Sequence, residues 1–134
     1  MELKEKFELV KQARELAYAP YSKFKVGALV ILNNGKYYTG CNIENAAYGL
    51  CNCAERTALF KAYSEGVKKE DISELVIIAD TDRPCSPCGS CRQVMSELMK
   101  ENAKVTLFNL KGESSELTVK ELLPYAFNEG DLNE

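Results

Sequence analysis

The hydrophobic positions along the chain fall into two alternating spacings. Residues 3–18 set Leu3, Phe7, Val10 and Ala17 along one helical stripe, and Pro20 stops the pattern. FKVGALVILNNGKYYTGCNI, residues 24–43, changes to strand character, with Asn34-Gly35 at its middle as a two-residue hairpin turn. AERTALFKAYSEG follows as a helix, and Gly66 suits a left-handed cap just past its end. SELVIIAD, residues 73–80, is a short apolar run of the kind that a sheet buries on both faces. CGSCRQVMSELMKEN (88–102) predicts a helix, KVTLFNL (104–110) a strand and ELTV (116–119) another. TVKELLPYAF closes with a brief helix halted by Pro124.

The order α-β-β-α-β-α-β-β-α predicts an α/β fold, a three-layer α/β/α domain around a mixed five-stranded sheet. No repeat, low-complexity tract or linker divides the chain, so residues 1–134 are expected to form a single domain. With 46% apolar and 28% charged residues the composition is that of an ordinary folded domain. A net charge of −3 leaves no basic face for a nucleic-acid backbone. The start, MELKEKFELVKQ, is charged and amphipathic, unlike a secretory signal, and no apolar run has the length of a membrane span. A cytoplasmic location is the expectation.

Composition changes the picture at cysteine and histidine, with six of the first and none of the second. In a reducing compartment clustered cysteines suggest metal or redox chemistry rather than disulfides. The clusters are CNCAERTALFKA (51–62) and PCSPCGSC (84–91), and each stands at the start of a predicted helix. A helix start carries unpaired N–H groups and partial positive charge, which favour the thiolate that a metal needs. Cys88 and Cys91 are three apart and share a face of the first turn, and Cys53 can add a third sulfur from the other helix. Three thiolates leave one tetrahedral position for water, as in a catalytic zinc site.

Glu55 lies only two residues beyond Cys53, so the two side chains converge only if Cys53 sits at the cap with non-helical dihedrals. Glu55 would then reach a water on the metal without ligating it. Zinc with three thiolates carries net negative charge, which Arg56 can withdraw by hydrogen-bonding the sulfurs. Three other arrangements compete. Cys85, Cys88 and Cys91 read as part of an iron–sulfur run. Cys51, Cys53, Cys88 and Cys91 could close a structural zinc site and leave Glu55 unexplained. A thiol redox protein would pair Cys88 with Cys91. Cys41, Cys51 and Cys85 are read by default as small buried apolar residues.

C-A-E at 53–55 followed by P-C-G-S-C at 87–91 resembles the signature of the zinc-dependent nucleoside and nucleobase deaminases, in an all-cysteine form. YSKFKVGA (21–28), GCNIENAAYG (40–49), CNCAERTA (51–58), SPCGSCRQV (86–94) and ELLPYAF (121–127) extend the resemblance, in order, to the small cytidine deaminases. That resemblance implies one zinc on Cys53, Cys88 and Cys91, with Glu55 as proton shuttle and Arg56 on the thiolates. It implies Asn42 and Glu44 on the ribose hydroxyls, Phe24 beside the pyrimidine, and backbone groups of Ala54 and Ser86 on the base. Tyr48 and Phe127 match aromatics that approach a neighbouring subunit's site in a homotetramer. The implied reaction is hydrolytic deamination of cytidine and deoxycytidine by a zinc-bound hydroxide, within pyrimidine nucleoside salvage. The partner is then a small nucleoside, not a nucleic acid or a membrane. A deaminase of aminonucleoside antibiotics and a zinc-stabilised interaction module are the alternatives.

Overall fold

Four consecutive apolar side chains at the centre of the sequence, Leu75, Val76, Ile77 and Ile78, are completely shielded from solvent. Burying each contributes about 1.5–3 kcal/mol, so this segment has to be flanked on both faces. It forms β3 (Ile72–Ala79), the middle strand of a sheet ordered β2-β1-β3-β4-β5, with β1 at Val26–Leu32, β2 at Tyr37–Cys41, β4 at Lys104–Asn109 and β5 at Ser114–Thr118. Neighbours are antiparallel except β3 and β4, whose parallel pairing requires a crossover. The helices are α1 (Leu3–Glu15), α2 (Ala54–Ser64), α3 (Gly89–Leu98), α4 (Val119–Leu122) and α5 (Glu129–Leu132), and α3 makes that crossover. The computed structural model describes residues 1–132; Asn133 and Glu134, the end of the expected domain, lie outside the described residues.

Helix α1 covers one face, where Val10 meets Leu29, Ile31, Val76, Ile78 and Phe108. The other face carries α2, α3 and α4 over Ala28, Val30, Leu75, Ile77, Val105 and Leu107. This is the mixed five-stranded sheet between helical layers that the element order predicts. The hairpin turns at Gly35 (φ 89°) and α2 is followed by Gly66 (φ 90°), both in the left-handed region that glycine enters without steric cost.

Several element ends differ from the sequence reading. Helix α1 stops at Glu15 rather than 18, because Tyr18 leaves to pair with the strand exit: its N–H donates to Asn42 O at 3.0 Å and its carbonyl accepts from Glu44 N at 2.8 Å. Its buried stripe is Lys6, Val10 and Ala13, and Leu3 is exposed. Lys6 Nζ lies 2.7 Å from Glu74 Oε1, and Thr106 Oγ1 donates to Glu74 Oε2 at 2.5 Å. A buried pair of this kind contributes little net stability, yet removing one partner costs about 3–5 kcal/mol, so it fixes how α1 seats on the sheet. Helix α3 ends at Leu98 rather than 102, because the Tyr63 hydroxyl takes the Leu98 carbonyl at 2.7 Å and Met99 turns extended into the core. The closing helix is the single turn α4, capped reciprocally by Thr118 and Glu121. Helix α5, absent from the sequence reading, starts where Asn128 N–H donates to Asp131 Oδ2 at 2.9 Å.

Strand register determines where the site forms. Val26 pairs with Ala79, Ala79 with Asn109, and Gly27 with Cys41. The exits of β2, β3 and β4 therefore share one end of the sheet, and the segments leading into α2 and α3 both leave from it. In open α/β sheets this carboxyl end is where ligands bind.

Candidate active site

Both helices that start at this end begin on a cysteine. Cys53 is the N-cap of α2, with φ −75° and ψ 154°, and Cys88 is the N-cap of α3, with φ −70° and ψ 165°. The non-helical cap that the two-residue spacing to Glu55 requires is present at Cys53. Cys88 Sγ accepts from the Cys91 N–H at 3.5 Å, which occupies one of the unpaired donors of the first turn. Helix α2 is pressed onto β2 at Gly40, where an added Cβ would come within 2.5 Å of Ala58 N and 2.9 Å of Ala54 O. The helix start is thus set by direct backbone contact with the sheet.

The sulfurs of Cys53, Cys88 and Cys91 all lie within 4.8 Å of one another, with Cys53 and Cys88 4.0 Å apart. Tetrahedral zinc with Zn–S bonds of about 2.3 Å places its sulfurs about 3.8 Å apart, so the donor set fits that ion in type and spacing. The Cys53 thiol is lowered to about 5, first by a hydrogen bond with Cys91 and then by Arg56. Cys91 is pushed the other way by the same Cys53 contact and by burial. The protein alone thus favours a thiolate on one sulfur at the expense of another, and three thiolates together need a cation.

Arg56 Nη2 donates to Cys53 Sγ at 3.2 Å, and the sulfurs hold its guanidinium firmly charged. Its Nε is buried with no acceptor among the described residues. Thiolate charge, rather than a full set of hydrogen bonds, offsets the desolvation of this group.

Beside the sulfurs opens a cleft of about 670 Å³. Glu55 lines it while only 4% exposed, and burial pushes its carboxyl above the usual range. Phe24, Asn42, Glu44, Tyr48, Ala54 and Ser86 line the same cleft. Phe127 does not; it lies half-exposed in a separate hollow of about 530 Å³ beside Leu123. Asn42 Oδ1 accepts from Val26 N at 2.8 Å, and its Nδ2 donates to Phe24 O at 2.8 Å. Glu44 Oε1 accepts from the backbone N–H groups of Tyr21 (3.0 Å) and Ser22 (3.1 Å), and Oε2 from the Ser22 hydroxyl. That hydroxyl is the first cause of a carboxyl held below the usual range.

Ser22 escapes sequence reasoning, because it reads as an ordinary loop residue; here its oxygen also accepts from Phe24 N at 3.0 Å. The segment before β1 is in this way fastened to the exit of β2, with Lys23 in the left-handed region at φ 62°. The remaining cysteines divide. Cys85 is buried, its thiol raised to about 11 by burial and then by Glu55. Cys41 and Cys51 are only half-buried, contrary to the default reading. Cys51 Sγ accepts from Asn45 N at 3.3 Å and donates to Asn45 O at 3.5 Å. Among the described residues the metal-binding cluster contains three cysteines and not a fourth.

Fold and donor set together define an α/β protein of the zinc-binding class, with a buried carboxyl beside its sulfur cluster. The sequence profile described as "Cytidine and deoxycytidylate deaminase zinc-binding region" matches residues 1–107. Cytidine deaminase of Halalkalibacterium halodurans is 58% identical over 123 residues, 92% of each chain. That of Sporosarcina psychrophila is 54% identical, covering 92% of this chain and 89% of its own. The crystal structure of cytidine deaminase from Burkholderia pseudomallei superposes with a TM-score of 0.93 at 50% identity, over 95% of this chain and all of that one. The chain belongs to the zinc-dependent cytidine deaminase family. Members of the family bind zinc, and the three-cysteine cluster is consistent with one ion per chain.

Arg56→Ala leaves the thiolate charge uncompensated, and groups that hydrogen-bond metal ligands typically contribute about 10–100-fold to affinity. Zinc transfer from the variant to a chromophoric chelator is expected to speed up by about that factor. An unchanged transfer rate would remove Arg56 from the charge balance.

Proposed function

We propose that the chain hydrolyses cytidine and deoxycytidine to uridine and deoxyuridine with release of ammonia. The observation that carries this reading is Glu55, a nearly solvent-free carboxyl whose range is raised, in the same cleft as the sulfur cluster. Cys53, Cys88 and Cys91 would hold the zinc, which would supply Lewis acidity for activating a water. Glu55 accepts the proton as the water oxygen bonds to C4 of the base, and gives a proton to N3. It then takes the remaining proton from the new C4 hydroxyl and delivers it to N4, and the C4–N4 bond breaks to release ammonia and leave a carbonyl at C4. A carboxyl raised by burial holds a proton more readily than an exposed one, which suits this double duty of taking and giving it.

The other cleft residues orient the nucleoside. Backbone polar groups of Ala54 and Ser86 hold the base, and Phe24 lies along its face. After its two bonds to backbone, the Asn42 amide keeps one N–H and one lone pair for the ribose hydroxyls. Glu44 accepts from the sugar, and its fixed negative charge disfavours a 5′-phosphate, so the substrate is a free nucleoside. Six free cysteines fit a reducing, cytoplasmic setting and a part in pyrimidine nucleoside salvage, with residues 1–134 acting as a single domain. No helix among the described residues is long and apolar enough to cross a membrane.

The working form is a homotetramer in which Tyr48 and Phe127 complete neighbouring sites. What supports this is exposure: Tyr48 is 91% and Phe127 57% exposed, more than a lone chain gains from large aromatic side chains.

The fall in ultraviolet absorbance as cytidine becomes uridine tests the reaction, with deoxycytidine, CMP and an aminonucleoside antibiotic as comparisons. Turnover of both nucleosides and not of CMP is expected. Glu55→Gln should lower kcat by at least about 10²–10⁴, the range of acid–base catalysis, with zinc retained. Near-full activity in that variant would eliminate the mechanism. Sedimentation should give four chain masses; a fully active single chain would overturn the shared sites.

A further inference from the structure

Arg92, one residue past Cys91 on α3, uses its guanidinium on three acceptors in two separate segments. Nε donates to Pro87 O at 2.9 Å, Nη2 to Ser86 Oγ at 2.6 Å, and Nη1 to Leu122 O at 3.0 Å. The first two acceptors belong to the irregular stretch between β3 and Cys88; the third is a carbonyl at the end of α4. The adjacent Gln93 donates through Nε2 to Phe127 O at 2.9 Å, so two consecutive side chains of α3 hold the C-terminal segment.

The stretch needs such a tether. On its entry side Cys85 N–H donates to Phe108 O at 3.2 Å, which fastens it to the end of β4. Pro87 has no N–H to offer, and Ser86 faces the cleft. The orphan carbonyl at a helix end favours a cation, so α4 anchors the guanidinium from the far side. A planar fork can satisfy three acceptors in different directions; a lysine ammonium delivers its donors from a single atom.

We propose that Arg92 is a positioning residue that fixes Ser86 and Pro87, and through them the edge of the cleft that meets the base and the approach of Cys88 to the metal. The proposal rests on the reading of the cleft as a cytidine site. It makes the C-terminal segment a support of that site, because α4 holds the arginine that holds the loop.

Arg92→Lys, Ser86→Ala and the double variant decide the matter, read by steady-state kinetics on cytidine, thermal unfolding and zinc transfer to a chelator. Loss of charge-assisted hydrogen bonds is expected to raise KM in Arg92→Lys about tenfold while kcat stays within about threefold. The double variant should be no worse than about the larger single effect, because both residues act through one contact. Zinc should leave Arg92→Lys several-fold faster. A KM within about twofold of the parent with only a lower Tm would make Arg92 a plain structural tether and overturn the proposal, as would independent effects that multiply in the double variant. If the parent protein does not turn over cytidine, the substrate reading falls by itself. Zinc transfer then decides, with an unchanged rate in Arg92→Lys refuting the positioning role and a faster one supporting it.

Discussion

The site depends on a backbone constraint at two helix starts. Cys53 and Cys88 each occupy a cap in extended conformation, at ψ 154° and 165°, so each sulfur turns back over the first turn of its helix instead of out along its side. Were α2 to begin one residue earlier, Cys53 and Glu55 would diverge, since only residues three or four apart share a helical face. That earlier start is opposed at Gly40, where the helix backbone rests directly on β2. The register of β1 with its neighbours then brings the exits of β2 and β3 to the same end of the sheet. Ligand geometry in this protein follows from sheet geometry.

Charge is handled differently on the two faces of the sheet. On the α1 face, Lys6 and Glu74 are buried as a direct pair with Thr106 as third partner, an arrangement that specifies how a helix seats. On the opposite face the negative charge is on sulfur, and Arg56 alone offsets only part of it. The deficit left after that single cation is the physical reason for a metal here. Nearby, Glu44 has its charge stabilised by three donors from the Tyr21–Ser22 turn, whereas burial of Glu55 outweighs the support of its backbone N–H, Cys91 and Arg56. One carboxyl is held ionised and the other is raised. The two acids are therefore suited to different tasks in one cleft.

Features governed by near neighbours were legible in the sequence. Asn34-Gly35, Gly66 and the apolar run of β3 each announce their conformation locally, and so do the cap at Cys53 and the shared first turn of Cys88 and Cys91, while their meeting follows from the element order. What could not be read depends on distant partners. The end of α1 is decided by Tyr18 pairing with the strand exit beyond Asn42, and the end of α3 by the hydroxyl of Tyr63, 35 residues before Leu98. Ser22 becomes part of the cleft only through Glu44, 22 residues away, and Arg92 gains its third acceptor from Leu122, 30 residues on. Cys51 passed for a buried apolar residue because nothing local shows that its sulfur closes a turn with Asn45. Sequence spacing pointed to the three sulfurs that the fold brings together; the residues that hold them in place emerge only from the fold.

Three sulfurs around the metal leave its last position to solvent. X-ray absorption at the zinc edge, on protein purified with its metal, counts those neighbours. Three sulfurs at about 2.3 Å and one oxygen or nitrogen at about 2.0 Å are expected. Four sulfurs around the ion would overturn that arrangement, because no position would then remain for a water.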